Sequence, residues 1–487
     1  MTTQTPFPPA QVQTPAPELP IKTRLMRWGV VLAAAVVVLL LPRPDGVSAE
    51  GWRLLAIFVA TIVGLIAQPL PMGALVIIAI TVAAITKTVT VQVALSAFAN
   101  PTIWLIVAAF LFSRAVVQTG LGRRVAFWFV RWFGSSSLRL GYALAGADFA
   151  VSPFIPSDTA RAGGIIFPIA RSLAEGYSSH PGPTAQRLGA YLMQCAYHVG
   201  CTTAAVFLTS MAANPLAAEF ARKFANVEIT WGTWALASCV PAAISLAVLP
   251  WLIYRLDPPE LKHTPEAQAQ ARGELEAMGA MTAAERRLIV ILLAVIAGWI
   301  AQPWHGLHPA VIAYAGVSLI VLAGVIRWDD VLAEKRAWDA FIWFGGLIMM
   351  AGGLEQAGVI RAVTDKISGL LEGWTWLPAL VALVLAYVFI HYGFASMTAH
   401  ITALYPAFLL LAVGHGAPAL VAALALAFAS NLNASLTHYG TGPAPIFFGA
   451  GYVSQVTWWR VGFLVVIFNL VVWLGLGLLW WRALGIW

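Results

Sequence analysis

Residues 430–445 read SNLNASLTHYGTGPAP and interrupt a long apolar segment of the chain. Proline removes a backbone donor and clashes with the preceding helical turn, so a continuous helix would not carry Gly-Thr-Gly-Pro in its middle. Residues 200–215, GCTTAAVFLTSMAANP, interrupt a second apolar segment with hydroxyl side chains, an asparagine and a proline. We therefore predict two discontinuous helices whose half-helix ends point into a cavity.

Two short polar strings lie in the middle of other irregular apolar regions. They are Ser157-Asp158-Thr159-Ala160-Arg161 and Ser396-Met397-Thr398-Ala399-His400, offset by 239 residues from position 157 to position 396. The Ile-Trp pairs at 103–104 and 342–343 share that offset, which indicates an internal repeat. Polar backbone inside a membrane is tolerated only within protein or beside a wet cavity. We therefore predict a re-entrant helical hairpin around each string, with the two tips meeting at one site.

The composition places most of this chain in lipid. Of its 487 residues 60% are hydrophobic and only 10% are charged, and the mean hydropathy is +0.81. These values exclude a soluble multidomain protein, a disordered protein and a fibrous protein. The basic residues are scattered between apolar segments, so the net charge of +7 indicates no nucleic-acid partner. We predict an all-α polytopic membrane protein of about 11 transmembrane helices plus the two hairpins.

Each copy of the repeat contains five spans and one hairpin. Because five is an odd number, the second copy enters the membrane from the opposite side, and we predict inverted-topology repeats. An excess of lysine and arginine on one side predicts a cytoplasmic N-terminus and an external C-terminus in a bacterial-type inner membrane. Residues 121–135 are predicted to form an amphipathic helix at the interface. The predicted boundaries are a disordered cytoplasmic tail (1–24), a first transmembrane helix (25–50), repeat 1 (51–254; hairpin about 138–174, broken helix about 187–213), a water-exposed cytoplasmic connector (255–284) and repeat 2 (285–487; hairpin about 375–413, broken helix about 417–448).

The chemistry of the two tips suits a small anion. Ser, Asp and Thr are strong helix N-caps, and the first amide groups of a helix bind anions. Arg161 and His400 occupy equivalent positions in the two repeats, and ionisable groups inside a membrane are functional candidates. We expect one cation from each repeat to neutralise a compact dianion, without a metal ion or another cofactor. The predicted substrate-binding residues are Ser157, Asp158, Thr159, Arg161, Thr209, Ser210, Ser396, Met397, Thr398, His400, Asn433, Ser435, Thr441, Gly442 and Pro443.

Several of these candidates also have a purely structural interpretation. Arg161 pairs with Asp158 in one alternative, which would only solve a local burial problem. His400 is a neutral histidine bonded to a carbonyl in another. Further polar residues of the same segments are explained equally well as core or capping groups: His391, His438, Asn431 and Asn433.

Enzymatic motifs are absent from the sequence. It has no HExxH, no nucleotide-binding Walker loop and no nucleophile elbow, and no pair of carboxylates is predicted within the apolar regions. We therefore expect no enzyme. Without a nucleotide motif, transport would have to be driven by an ion or solute gradient, which favours a secondary transporter over a pump.

Three stretches resemble the divalent anion:sodium symporter (DASS) superfamily: SPFIPSDTARAGGIIFPIA (152–170), FASMTAHITALYPAF (394–408) and ASNLNASLTHYGTGPAPIFFGAGYV (429–453). The sequence is most similar to the branch of citrate/succinate antiporters and 2-oxoglutarate/malate translocators, over about residues 50–480. The resemblance implies a homodimer whose transport domain moves against a scaffold domain by an elevator mechanism. It also implies di- and tricarboxylate substrates such as malate, succinate, fumarate, 2-oxoglutarate, tartrate and citrate.

The resemblance also bears on coupling. The family's Ser-Asn-Thr tips correspond here to Ser157-Asp158-Thr159 and Ser396-Met397-Thr398, so both central asparagines are replaced. Met397 lacks the amide oxygen that would help to hold a second sodium ion. Arg161 and His400 fit the exchanger branch, in which fixed positive charge stands in for sodium. We therefore favour sodium-independent exchange. The alternatives are a sodium-coupled dicarboxylate symporter, an anion channel and a non-transporting membrane scaffold.

Overall fold

The computed structural model describes residues 20–487 of the chain. Residues 1–19 of the predicted tail (1–24) lie outside the described residues. From Ile21 onward the chain is already helical, so the first helix begins four residues earlier than predicted, and it ends at Leu40 rather than near residue 50. The described part of the chain is helical throughout, with no named β-strand, which confirms the all-α class.

Twelve helices precede the connector. They are α1 (Ile21–Leu40), α2 (Ala49–Ala67), α3 (Met72–Ile85), α4 (Val91–Ser96), α5 (Pro101–Thr119), α6 (Leu121–Phe133), α7 (Ser137–Val151), α8 (Asp158–Arg161), α9 (Phe167–Gly176), α10 (Gly189–Val206), α11 (Ala213–Ala225) and α12 (Trp231–Leu256). A π-helical segment, Ala162–Ile166, joins α8 to α9.

Thirteen helices follow. They are α13 (Pro265–Ala277) in the connector, then α14 (Ala283–Ile300), α15 (Gln302–His305), α16 (Pro309–Leu322), α17 (Trp328–Leu332), α18 (Lys335–Gln356), α19 (Val359–Ser368), α20 (Trp376–Ile390), α21 (Met397–Gly414), α22 (Ala419–Leu432), α23 (Pro443–Gly449), α24 (Gln455–Leu470) and α25 (Gly477–Ala483). A 3₁₀ turn, Asn433–Leu436, follows α22, and a π-helical segment joins α24 to α25.

Nine helical segments of residues 20–487 are long and apolar enough to cross a membrane. On the outside of the bundle, α1 packs mainly against α2 and exposes apolar side chains such as Leu25, Leu32 and Leu40. Large exposed apolar surfaces of this kind mark contact with lipid in a chain of this composition. In the interior, α10 is buried on nearly every face, between α7, α9, α12 and α22. The chain is therefore a multi-pass membrane protein.

The helices pack in two groups. In the first group, α18 packs against α2, α3 and α5, and α16 packs against α5 and α14. In the second, α10 packs against α7, α12 and α22, and α21 packs against α11, α20 and α22. Contacts of α11 with α18 and of α2 and α19 with α21 join the two groups.

Each hairpin consists of two helical arms around a short non-helical tip. The first hairpin follows α7, turns through residues 152–157 and returns through α8 and α9. The sequence predicted this hairpin at 138–174. The second consists of α20 and α21, with a tip at His391–Ser396, against a predicted 375–413. Ser136 and Ser157 cap the first pair of arms, and Ser396 caps α21, each by accepting a backbone N–H bond.

The two predicted helix breaks are also found. The first break separates α10 from α11 at residues 207–212. In the second, the chain leaves α22 through the 3₁₀ turn and regains a helical conformation only at Pro443. Gly462 of α24 lets this turn come close, because a Cβ atom there would lie 2.0 Å from the Ser435 carbonyl oxygen.

The connector, which we predicted to be water-exposed, also makes contacts with the helical bundle. Helix α13 packs on α6, and its Gln270 donates to Ser172 of α9. Helix α6, the predicted interfacial helix, buries Arg124, which forms an ion pair of 2.6 Å with Glu285 at the start of α14. The side chains of this pair are only 6% and 1% exposed. The sequence misassigned Arg124 to the membrane interface because its partner lies 161 residues away.

We predict that Glu285→Ala destabilises the protein by about 3 kcal/mol, because it leaves the buried Arg124 guanidinium without its counter-charge. The matched control is Glu274→Ala, which removes the partner of the half-exposed Arg123 and should change stability by less than about 1 kcal/mol. Unfolding titrations in mixed micelles measure both. Equal effects of the two substitutions would contradict the assignment.

Candidate substrate site

The tip of the first hairpin contacts the broken segment of the second half of the chain. Asp158 accepts hydrogen bonds from the Thr159 backbone N–H at 2.7 Å and from the Thr441 hydroxyl at 2.9 Å. Gly442 lies against Thr159, because a Cβ atom on Gly442 would be 2.0 Å from the threonine Oγ1. The glycine is therefore needed for the two segments to come this close.

Arg161 is buried directly behind this tip, with 1% of its surface exposed. Its Nε donates to Asp148 Oδ1 at 2.7 Å, and Nη1 donates to the carbonyl oxygens of Ile155 and Ser210 at 3.0 and 2.8 Å. The other oxygen of Asp148 accepts from the Thr203 hydroxyl. The alternative pairing of Arg161 with Asp158 is therefore wrong. Its counter-charge comes from α7, across the hairpin.

The second tip is built differently. Met397 begins α21 at the cavity, and His400 lies one turn further along the helix and is fully buried. His400 Nδ1 lies 3.3 Å from Nδ1 of His391, and Nε2 of His391 lies 3.0 Å from the Gly440 carbonyl oxygen. The carbonyl contact considered for His400 is thus made by His391. The Thr398 carbonyl oxygen accepts a bond from the Thr402 hydroxyl at 2.7 Å.

A small cavity lies where these segments meet. Its volume is about 20 Å³, enough for a single water molecule. Asp158 and Arg161 line it from the first hairpin, Met397 from the second, and Pro443 from the broken segment. The other lining residues are Asp148, Ala162, Ile166, Ala196, Tyr197, Gly200, Cys201, Ala204, Ala434 and Phe447. A molecule the size of the predicted dicarboxylate substrates does not fit in this volume.

Several fully buried polar atoms near the second tip have no hydrogen-bond partner among residues 20–487. They are both side-chain atoms of Asn433, Oγ1 of Thr437 and Nε2 of His400. A buried polar atom without a partner costs about 1–3 kcal/mol, and such atoms are rare in native proteins. The 3₁₀ turn that carries Asn433 packs against the turn that carries His391. None of these three residues lines the small cavity, and their polar atoms need water or a ligand as partners.

Other predicted residues hold the site together from outside the cavity. Thr209 donates to the Pro153 carbonyl oxygen at 2.7 Å and accepts from the Trp231 indole. Ser210 supports Arg161 through its carbonyl oxygen. Ser435 is buried beside the Cys201 thiol. In this conformation Thr209 and Ser210 support the first tip and do not line the cavity.

Sequence reasoning missed Asp148, and the statement that no carboxylates pair within the apolar regions was wrong. Asp148 and Asp158 line the same cavity. The available signal was the lone acidic residue in the apolar arm SLRLGYALAGADFAV, because an ionisable group inside a membrane marks function or a buried partner. Tyr197 and Cys201 were also missed as cavity residues.

A second, larger cavity of about 560 Å³ lies between α11 and α18. It contains Glu219, Arg222 and Lys223 of α11, and Lys223 donates to the Ile348 carbonyl oxygen of α18 at 3.4 Å. Among residues 20–487, no cluster of three or more His, Cys, Asp or Glu side chains that could hold a metal ion is found.

We predict that Asp148→Asn and Arg161→Gln each destabilise the protein by about 3 kcal/mol, because each leaves a buried charge unpaired. The double variant should lose clearly less than the sum of the two, since neither charge remains. Asp158→Asn, which keeps an acceptor for Thr441, serves as the control and should cost about 1 kcal/mol or less. Strict additivity in unfolding titrations would contradict the ion pair.

The chain matches a family profile described as "Sodium:sulfate symporter transmembrane region" over residues 22–487. It is 45% identical to YflS of Bacillus subtilis, named as a candidate malate transporter, over 94% of this chain and 96% of that protein. It is 44% identical to the chloroplastic dicarboxylate transporter 1 of Spinacia oleracea, over 94% of this chain and 81% of that protein. The Alcanivorax borkumensis YdaH transporter has a similar fold, with a TM-score of 0.53 at 14% identity, over 96% of this chain and 98% of that chain. The chain therefore belongs to the sodium:sulfate symporter family of membrane transporters.

Proposed function

We propose that this protein is a secondary active transporter of small dicarboxylates. The observation that carries the proposal is the meeting of the first hairpin tip with the broken segment at Thr441, beside buried polar atoms that lack partners. The names of the B. subtilis and spinach relatives support dicarboxylates as substrates. We propose malate, succinate, fumarate and 2-oxoglutarate as the substrate class, with citrate and tartrate as further candidates.

The site would bind a carboxylate through backbone amides and hydroxyl groups. Backbone amides at the start of α21 can donate to an anion, because the helix dipole is positive there. The Ala399 amide already donates to Ser396. Thr159 and Thr398 supply hydroxyl donors at the two tips, and Asn433 supplies an amide. One carboxylate would contact each tip, and this explains why both hairpins are needed.

The charges at the cavity determine how a dianion is carried. The charges of Asp148 and Arg161 cancel in their ion pair. The carboxylate of Asp158 therefore gives the cavity lining a net charge of about one negative unit. A dianion therefore needs added positive charge, which we expect from a proton on His400. The fixed guanidinium that we expected from the sequence does not supply this charge here, because Asp148 already neutralises it.

We propose sodium-independent exchange as the mode of transport. An empty site would carry its buried polar atoms through hydrocarbon without partners, which is costly, whereas a bound dicarboxylate gives such atoms hydrogen-bond partners. Return of the site is then faster with a second dicarboxylate than without one. Met397, which offers no amide oxygen for sodium at the second tip, supports this mode.

The two helix groups suggest how the site moves. We propose that the group containing both hairpins travels as a transport domain against the group around α18, in an elevator mechanism. We further propose a homodimer in a bacterial-type inner membrane, with a cytoplasmic N-terminus and an external C-terminus. The excess of basic residues on the α6 and connector side supports this orientation.

Sodium-coupled symport is the second candidate, and Asp158 is the observation that favours it. Its carboxylate lies against the Thr159 and Thr441 hydroxyls, which together offer oxygen ligands for a small cation. Broken helices coordinate sodium in this way in other transporters.

Counterflow in proteoliposomes tests the proposal. Vesicles loaded with malate should take up labelled malate several-fold faster than empty vesicles, at equal rates in sodium and in choline buffers. Uptake into empty vesicles that requires a sodium gradient would replace exchange with symport, and flux without stimulation from the trans side would indicate a channel. No flux of any dicarboxylate would contradict the proposed function itself.

Asp158→Asn separates the two modes further. Under the exchange proposal this variant keeps sodium-independent counterflow, because it retains an acceptor for the Thr441 hydroxyl. Under sodium coupling it should raise the sodium concentration needed for half-maximal uptake at least about tenfold, since loss of one charged ligand of this kind costs more than 1.4 kcal/mol.

A further inference from the structure

Two buried imidazoles contact each other at the second tip, with their ring planes at 67°. His391 and His400 are both fully buried, and their Nδ1 atoms lie 3.3 Å apart. Nε2 of His391 lies 3.0 Å from the Gly440 carbonyl oxygen, while Nε2 of His400 has no partner among residues 20–487. The chain of contacts therefore runs from a backbone carbonyl, through His391, to one unpartnered nitrogen of His400.

The positions of the protons in this chain follow from the carbonyl. A carbonyl oxygen only accepts, so Nε2 of His391 must carry a proton. In neutral His391 the Nδ1 atom is then an acceptor, and Nδ1 of His400 must be the donor of the bond between the rings. Neutral His400 is left with a lone pair, and no proton, on Nε2.

We propose that His391 is a positioning residue that holds His400 in the tautomer unable to donate to a carboxylate, so that dicarboxylate binding takes up one proton. This inference rests on the proposed function. The lone pair of His400 Nε2 repels a carboxylate oxygen. Addition of a proton at this atom, taken from solvent, converts it into a cationic donor and breaks no other bond.

The surroundings of the pair contain no alternative counter-charge in direct contact. Tyr387 of α20 packs its ring on His400 and bonds through its hydroxyl to Ser430 of α22. Charged residues on the other elements packed against α21 are Glu50 and Arg53 of α2, Glu219, Arg222 and Lys223 of α11, and Arg361, Asp365 and Lys366 of α19. Within the described chain none of these side chains forms a hydrogen bond or ion pair with either imidazole. The substrate itself is thus the negative group that a protonated His400 would meet.

Calorimetry on the intact protein tests the proposal without any substitution. Malate binding is measured at mildly alkaline pH in two buffers of different ionisation enthalpy, and the difference in heat gives the protons exchanged. We expect uptake of about one proton for each malate that the His400 site binds. Binding heat without proton uptake overturns this inference and leaves the proposed function standing, whereas no binding of any dicarboxylate contradicts the proposed function.

His391→Phe identifies the origin of the proton. Without the ring bond, His400 is free to place its proton on Nε2 and to donate while neutral. In the wild type the malate affinity should fall about tenfold for each unit of increase in pH, over the range in which His391 and His400 are both neutral without substrate. In the variant we expect proton uptake to fall by at least half and the pH dependence to flatten.

The matched control is His198→Phe, which removes an equally buried imidazole on α10 that makes no bond to His400. This variant should keep the wild-type pH dependence and proton uptake. Full retention of both in His391→Phe would assign the proton to another group, such as Asp158, and would overturn the proposal. Loss of both in the His198 control would do the same, because the effect would then follow from any buried imidazole.

Discussion

The bond from Thr441 to Asp158 joins the two halves of the chain at the place where both lack regular structure. Inside a membrane an interrupted helix leaves backbone groups that lipid cannot satisfy. The first hairpin tip and the broken segment of the second half satisfy each other there, through the Asp158 carboxylate and the close approach of Gly442 to Thr159. Neither half can make this contact alone, so the site depends on the packing of both halves of the multi-pass fold.

Charge is distributed unequally between the two sides of the site. On the first side the Asp148–Arg161 pair is closed by three further bonds, to Thr203, Ile155 and Ser210, and is therefore a rigid, neutral unit. The second side carries the unsatisfied atoms of Asn433, Thr437 and His400. We therefore propose that the first side is fixed structure and that protonation changes on the second side.

Local signals in the sequence predicted the elements, and long-range pairing limited the prediction of the site. The hairpins and breaks were predictable because caps such as Ser157 and the run Gly440–Pro443 act on their own backbone. The partner of Arg161 was not, because Asp148 lies on the opposite arm and is brought near only by the packing of α7. The docking of the connector depends on the Arg124–Glu285 pair, whose members no local pattern links. His391 was assigned to the core, and its contact with His400 depends on the shape of the second tip.

We propose that a dicarboxylate binds between the first tip and the second, at Asp158, Thr441 and Met397. A structure determined with saturating malate is the decisive measurement. We expect density for malate between these residues, with the tips further apart than in the 20 Å³ cavity and one carboxylate facing His400. Malate bound instead in the outer cavity beside Arg222 and Lys223, with the tips still closed, would contradict it.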